Sequence, residues 1–203
     1  MTLTGFSQEI EALLKPKKEP ALVAVPSMSF LMVDGEGDPR DSPAYQQAME
    51  ALYGLSFTVK FALRKAKGID YKVMPLEGLW WSDDMDSFIL DARGKWKWTS
   101  MIMQPTMVAA EDIEKAKAEL QRKKDPPALP RVRFESYDEG PSAQILHVGP
   151  YSAERPTIER LHAFIEEQGY ERRGKHHEIY LGDPRRADPS KLRTILRQPV
   201  AKL

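Results

Sequence analysis

An internal repeat is the feature that most constrains the fold of this 203-residue chain. Four landmarks occur in the same order in both halves. They pair residues 30–33 with 144–147, Ser42-Pro43 with Ser152 and Pro156, 76–80 with 177–181, and 102–105 with 196–199. Each half therefore has the order strand, turn, helix, strand, strand, which predicts a duplicated module. Because one such module buries little core, two modules are expected to pair their sheets about a pseudo-twofold axis.

The predicted fold class is α+β, with tandem strand-helix-strand-strand modules, antiparallel sheets and a central ligand groove. Residues 1–20 are expected to form an N-terminal arm, whose short helix Ser7 caps. Residues 21–203 are expected to form one domain, with half-modules at about 21–125 and 130–203. The groove is expected where the two modules meet, since such junctions are common ligand sites.

Composition excludes several classes of function. The chain has no cysteine, which excludes thiol nucleophiles and cysteine-based metal sites. Thirty Lys and Arg balance thirty Asp and Glu, which argues against a general nucleic-acid binder. No apolar stretch is long enough for a membrane span, and no secretory signal opens the chain, so a cytoplasmic location is expected. The four histidines lack ligand spacing and no phosphate-binding loop is present, so neither a metal nor a cofactor is expected.

Two glutamates are the candidate chemical groups. The repeat aligns Glu77 with Glu178, and alternation along a strand places Glu178 on one face with Tyr180. The two carboxylates are expected to approach each other across the groove. Burial among aromatic rings raises the pKa of a carboxyl group, which suits acid–base chemistry or cation recognition. The alternative is that Glu178 forms a surface ion pair with Lys175 or Arg193.

Tryptophans concentrate in the first half of the chain, at 80, 81, 96 and 98. Trp80 and Trp81 are adjacent and must point to opposite sides of a regular strand. These rings are either ordinary core or a cage that holds a flat ligand or a cation. Periodicity gives the following candidate ligand-binding residues: Tyr53, Phe57, Trp81, Trp98 and Tyr180.

Five segments carry a family pattern. They are FLMVDGEGDP at 30–39, ALY at 51–53 with SFTVK at 56–60, PLEGLWW at 75–81, HVGPY at 147–151 and EIYLGDP at 178–184. Through them the chain resembles the GyrI-like small-molecule-binding family, which is related to the effector domains of AraC-type regulators. The similarity covers about residues 20–200. EIYLGDP is typical of the whole family, whereas PLEGLW is similar to a stand-alone branch.

The resemblance implies a duplicated α/β module with a central groove that binds hydrophobic, often cationic or planar, compounds. It also implies that a glutamate at the position of Glu178 is the polar anchor. One stand-alone branch hydrolyses the cyclopropane ring of DNA-alkylating cyclopropanoids within an aromatic cage. The resemblance to that branch rests on the segment with Trp80 and Trp81.

The leading hypothesis is a xenobiotic-binding protein that opens cyclopropane rings by hydrolysis, with Glu178 as the base and Glu77 as its partner. An alternative is a non-catalytic multidrug-binding or sensing module, which needs the aromatic groove but no activated water. A third is a gyrase-inhibitor-like interaction protein, which would need a surface patch that the sequence does not show. The expected partner is a small hydrophobic molecule, and the oligomeric state is left open.

Overall fold

The computed structural model describes residues 4–83, 96–183 and 186–203. The helices in these residues are α1 (Gln8–Leu13), α2 (Pro43–Lys67), α3 (Ala110–Lys123) and α4 (Arg155–Glu167). The strands are β1 (Ala21–Val25), β2 (Met28–Glu36), β3 (Leu76–Trp81), β4 (Lys97–Gln104), β5 (Arg133–Tyr137), β6 (Gly140–Val148), β7 (Tyr170–Arg172), β8 (His176–Tyr180) and β9 (Arg193–Lys202). The chain therefore has the α+β class that the sequence predicts.

Antiparallel pairing joins the strands into one sheet with the order β1-β6-β9-β8-β3-β4-β2-β5, and β7 adds to β9. This order is symmetric about the β3–β8 pair. On one side, β3, β4 and β2 of the first half are followed by β5 of the second half. On the other side, β8, β9 and β6 of the second half are followed by β1 of the first half. The strand order is the one that the predicted repeat requires, while the duplication itself stays a prediction.

The helices α2 and α4 pack on the same face of the sheet. On α2, Tyr45 contacts Trp80 and Trp98, which belong to β3 and β4. On α4, Leu161 and Ile165 form a separate buried cluster, whose remaining buried members are Ala143, Ile145, Leu196 and Val200. Each helix thus covers its own half of the sheet, and the buried side chains of β3 belong to the larger core, which includes α2.

The N-terminal arm packs on the opposite face. Ser7 caps α1 as predicted, and Ile10 and Leu13 of this helix are buried. The carbonyl oxygen of Leu13 accepts a hydrogen bond from the side chain of Gln144, whose strand neighbour Arg197 lies on the face away from the long helices. The arm therefore leaves the groove face uncovered.

Local signals explain most of the boundaries. The Ser42 hydroxyl accepts a hydrogen bond from the Tyr45 amide, Pro43 begins α2, and Gly68 ends it in a left-handed conformation. The sequence predicts a strand over 71–81. The observed strand β3 begins later, at Leu76, directly after Pro75, because proline lacks the N–H that a ladder needs. The sequence also predicts a short strand at 87–90, which lies outside the described residues. The short strands β1 and β7 are not among the predicted elements.

Candidate functional site

A cluster of aromatic and carboxyl side chains lies over the central strands on the face that carries α2 and α4. The register pairs Gly78 with Glu178 and Trp80 with His176, so these four positions share one face of the β3–β8 pair. Tyr180 follows two residues after Glu178 and lies on the same face. The term central groove denotes this surface, which is formed by Tyr45, Tyr53, Trp80, Tyr151, Glu154, Glu178 and Tyr180.

Glu178 lies at the centre of this surface. Its Oε2 accepts a hydrogen bond of 2.7 Å from the Tyr180 hydroxyl, which in turn accepts one of 3.1 Å from Trp80 Nε1. Nε2 of His176 lies 3.4 Å from the other carboxylate oxygen. The Glu178 side chain is 15% exposed. Because β8 is paired on both sides, the alternative of an ion pair at a sheet edge is wrong.

Aromatic rings surround the carboxylate. Tyr45 lies 6.0 Å from Trp80 between ring centroids, and the rings of Tyr151 and Tyr180 meet edge to face at 5.5 Å. Burial, helped by the negative charge of Glu178, raises the pKa of Tyr45, so this hydroxyl stays neutral. Gly78 lets the rings approach, because a Cβ there would lie 2.6 Å from Trp80 Nε1 and 3.2 Å from the Tyr180 hydroxyl.

A second carboxyl group, Glu154, lies beside the first. It directly precedes α4 and is 5% exposed. Burial and the charge of Glu178 raise the pKa of Glu154 to about 9, and the nearby Thr194 hydroxyl opposes this rise. This raised pKa favours the neutral carboxylic acid form of Glu154 at neutral pH.

Glu77 does not reach the groove, so the expected contact between Glu77 and Glu178 is wrong. The register pairs Glu77 with Ile179 rather than with Glu178, and this places the Glu77 side chain on the opposite face. There its Oε2 lies 3.0 Å from Nε2 of the buried His177. Neighbouring positions on paired strands point to opposite sides, and a register difference of one residue therefore separates the two carboxylates.

The group around His177 is called the opposite-face network. His177 Nδ1 lies 2.9 Å from Oε1 of Glu139, and Arg197 donates to Oε2 of Glu139 at 3.0 Å. Burial alone would lower the pKa of His177, but Glu139 and Glu77 raise it to about 9. Burial alone would raise the pKa of Glu139, but His177 and Arg197 lower it to about 2. These charges compensate one another within the protein.

The five predicted aromatic candidates differ in whether their side chains lie near the Glu178 carboxylate. Tyr180 lies in the groove. Tyr53 is half-buried and lies close enough to Tyr151 to help raise the pKa of the Tyr151 hydroxyl. Trp98 is fully buried beneath Tyr45, whereas Phe57 is 43% exposed and stacks on Phe61. These two contribute no described contact to the Glu178 carboxylate, and their assignment to ligand binding stays a prediction.

Trp81 lies on the opposite face from the groove. It shares that face with Glu77, and the ammonium of Lys175 sits 3.4 Å from its ring centroid. The expectation that Trp81 lines the groove is therefore wrong. The tryptophan on the groove face is its neighbour Trp80. The expectation that adjacent tryptophans point to opposite sides holds for this pair.

Sequence reasoning missed four groove residues, which are Tyr45, Trp80, Tyr151 and Glu154. Two signals could have indicated them. Tyr45 belongs to the same helical line as other buried residues of α2, and Tyr151 and Glu154 lie in the segment that joins β6 to α4. Assigning these residues to the groove requires the strand register, which the sequence alone does not determine.

Comparisons with known proteins show the family of this chain and two solved structures with a similar fold. A family model described as the GyrI-like small molecule binding domain matches residues 18–201. An uncharacterized conserved protein from Listeria innocua is 42% identical, with a TM-score of 0.88 and coverage of 96% of this chain and 98% of that protein. A Listeria innocua protein described as a hydrolase is 40% identical, with a TM-score of 0.83 and the same two coverages.

More distant similarity extends to the EcmrR C-terminal domain, at 13% identity and a TM-score of 0.56, with coverage of 91% of this chain and 98% of that domain. This similarity concerns the fold alone. No curated protein matches the chain. Across the described parts of the chain, no helix has both the length and the apolar character that a bilayer crossing requires.

Proposed function

Because this chain belongs to the GyrI-like small-molecule-binding family, we propose that it is a cytoplasmic detoxification protein that binds hydrophobic planar or cationic xenobiotics in the central groove. We further propose that it hydrolyses the cyclopropane ring of DNA-alkylating cyclopropanoids. The Listeria innocua relative described as a hydrolase supports a hydrolytic reaction. The resemblance of the segment 75–81 to the stand-alone branch supports the cyclopropanoid substrate.

The observation that carries the proposal is the setting of Glu178. Its carboxylate lies among aromatic rings, and no lysine or arginine in residues 4–83, 96–183 and 186–203 forms an ion pair with it. A partly desolvated carboxylate that no lysine or arginine neutralises attracts a cation or a polarised water. Rings at this position add favourable stacking for a planar ligand.

The proposed reaction adds one water molecule across the strained ring. The rings hold the planar ligand, and Glu178 accepts a proton as the water oxygen bonds to the cyclopropane carbon. The carbon–carbon bond of the ring breaks as its electron pair passes into the conjugated system of the ligand. The proton held by Glu178 then returns to the product, which no longer alkylates DNA. Tyr180, which donates to Oε2 of Glu178, holds the carboxylate in position.

Mass spectrometry of a duocarmycin-type cyclopropanoid incubated with the purified chain tests this proposal. We expect the water adduct to form faster than without protein. We expect Glu178→Gln to lower the rate by about 100-fold or more, because the amide cannot accept the proton. The matched control is Glu159→Gln, since Glu159 is 54% exposed on α4 and pairs with Arg155.

Two results would count against the proposal in different ways. If intact compound co-purifies with the chain and no water adduct forms, the protein is a non-catalytic binding module for this substrate class. If Glu178→Gln forms the adduct as fast as Glu159→Gln does, Glu178 is not the base. Quenching of tryptophan fluorescence measures ligand binding in each variant, because Trp80 adjoins the groove.

A further inference from the structure

The long helix α2 carries an exposed pair of aromatic rings that the proposed hydrolysis does not use. Phe57 is 43% exposed and Phe61 is 56% exposed. Their rings stack on each other, with 6.2 Å between centroids and 25° between planes. A single exposed apolar side chain is ordinary on a protein surface, but adjacent large rings form a patch that is typical of an interaction site.

The same side of α2 continues this pair into a longer surface with charged ends. Tyr53, Phe57 and Phe61 follow one another at intervals of four residues. Glu50 and Arg64 are exposed, and each lies seven residues from Phe57. Seven residues are close to two helical turns, so all five side chains lie on one side of the helix. The term α2 stripe denotes these five residues.

The α2 stripe is complementary to itself when it is reversed. If two copies of α2 lie antiparallel with Phe57 opposite Phe57, each Glu50 lies opposite Arg64 of the second copy. Phe61 of each copy then lies opposite Tyr53 of the other. A parallel arrangement would instead set Glu50 opposite Glu50 and Arg64 opposite Arg64, which repel. Twofold symmetry, which relates the two copies in most homodimers, therefore gives attractive contacts at both ends of the stripe.

The present contact of Arg64 does not prevent this pairing. Its Nη1 lies 4.0 Å from Oδ2 of Asp70, and both side chains are more than half exposed. An exposed ion pair of this length contributes little to stability. Asp70 also has a second partner, because Nζ of Lys60 lies 3.3 Å from its Oδ1. Arg64 can therefore turn to Glu50 of a second copy without leaving Asp70 unpaired.

We propose that the α2 stripe is the interface of a homodimer, in which it packs antiparallel on the same stripe of a second copy. This inference does not depend on the proposed hydrolysis. Burial of the rings drives the association, and the two contacts between Glu50 and Arg64 fix its antiparallel direction. One helix face is a small interface, so the dimer is reversible and has a micromolar dissociation constant.

Sedimentation equilibrium of the purified chain at increasing concentration tests the interface. We expect the average mass to rise from the 23.1 kDa of one chain toward twice that value. Phe57→Ala removes the central ring from both copies and keeps a good helix former, so we expect the dissociation constant to rise about 100-fold. The matched control is Leu22→Ala on β1, where the apolar side chain is 39% exposed, and it should leave the dissociation constant unchanged.

Charge reversal tests the antiparallel direction. Glu50→Arg and Arg64→Glu each set like charges opposite each other at both ends of the stripe, and each should raise the dissociation constant about 10-fold. In an equimolar mixture of these two variants, one copy of each kind has opposite charges facing at both ends. The mixture should therefore dimerise about as tightly as the wild-type chain, and so should the double variant.

Three results would overturn the inference. A mass of one chain at every concentration would show that the wild-type protein does not dimerise. A dimer that Phe57→Ala does not weaken, or that Leu22→Ala weakens equally, would place the contact elsewhere on the molecule. A mixture of the two charge variants that dimerises no better than either variant alone would exclude the antiparallel pairing. These measurements involve no turnover, so each of these failures leaves the proposed hydrolysis standing.

Discussion

The two faces of the β3–β8 strand pair differ in the side chains that contact their buried carboxyl groups. On the opposite face, Glu77 and Glu139 contact His177, and Arg197 completes a set of two carboxylates and two cationic side chains. On the groove face, Glu178 faces tyrosine hydroxyls and rings. Charges that compensate one another stabilise the fold, whereas a carboxylate that no lysine or arginine neutralises is available to a ligand.

The largest expected effect is on the opposite face. Glu139→Gln leaves His177 and Arg197 without their shared carboxylate, and we expect it to lower the free energy of unfolding by about 3–5 kcal/mol. Urea denaturation measures this change. The control is Glu135→Gln, which removes an exposed ion pair with Arg133 and should cost less than about 1 kcal/mol. Equal losses in the two variants would contradict the comparison.

The same network predicts how stability depends on pH. The pKa of His177 is raised to about 9, so its contribution is complete below its unfolded value near 6.5 and is lost as pH rises toward 9. The pKa of Glu139 is lowered to about 2, so its contribution is present above the unfolded value near 4.5 and is lost as pH falls toward 2. Glu139→Gln should weaken both dependences, and an unchanged alkaline loss would exclude Glu139 as its cause.

A smaller effect tests the coupling of the two groove carboxyl groups. Glu178→Gln removes a negative charge next to Glu154, so the pKa of Glu154 should fall from about 9 by about one pH unit, while burial keeps it above the ordinary carboxyl value. Carbon-13 NMR of the glutamate carboxyl groups measures this pKa. Glu77→Gln is the matched control, because Glu77 lies on the other face. An equal fall in both variants would show that the two faces are not electrostatically separate.

The sequence predicts the architecture better than it predicts the site. Ser42, Pro43 and Gly68 mark the long helix through local backbone preferences, which act without distant partners. The order of strands agrees with the predicted repeat. Both kinds of information are present in short stretches of the chain.

The groove depends on strand register, which short stretches do not contain. Aligning Glu77 with Glu178 places two carboxylates on one face, but the observed pairing sets Gly78 across from Glu178. A difference of one residue exchanges every side chain between faces, and it therefore exchanges Trp81 for Trp80 as well. The carboxyl group that Glu178 influences on the groove face is Glu154, which the sequence analysis did not select.

The smallest expected effect distinguishes the two adjacent tryptophans. Trp80→Phe removes the N–H that donates to the Tyr180 hydroxyl, and we expect it to weaken ligand binding by about 1 kcal/mol, because Tyr180 then orients Glu178 less firmly. Trp81→Phe replaces the ring beneath Lys175 on the opposite face, and we expect it to leave binding unchanged while lowering the free energy of unfolding by less than about 1 kcal/mol. Calorimetric titration with tetraphenylphosphonium, a lipophilic cation, measures the first change, and urea denaturation measures the second. Weaker binding in Trp81→Phe with normal binding in Trp80→Phe would place the ligand on the wrong face for Glu178 and would overturn the groove as the binding site.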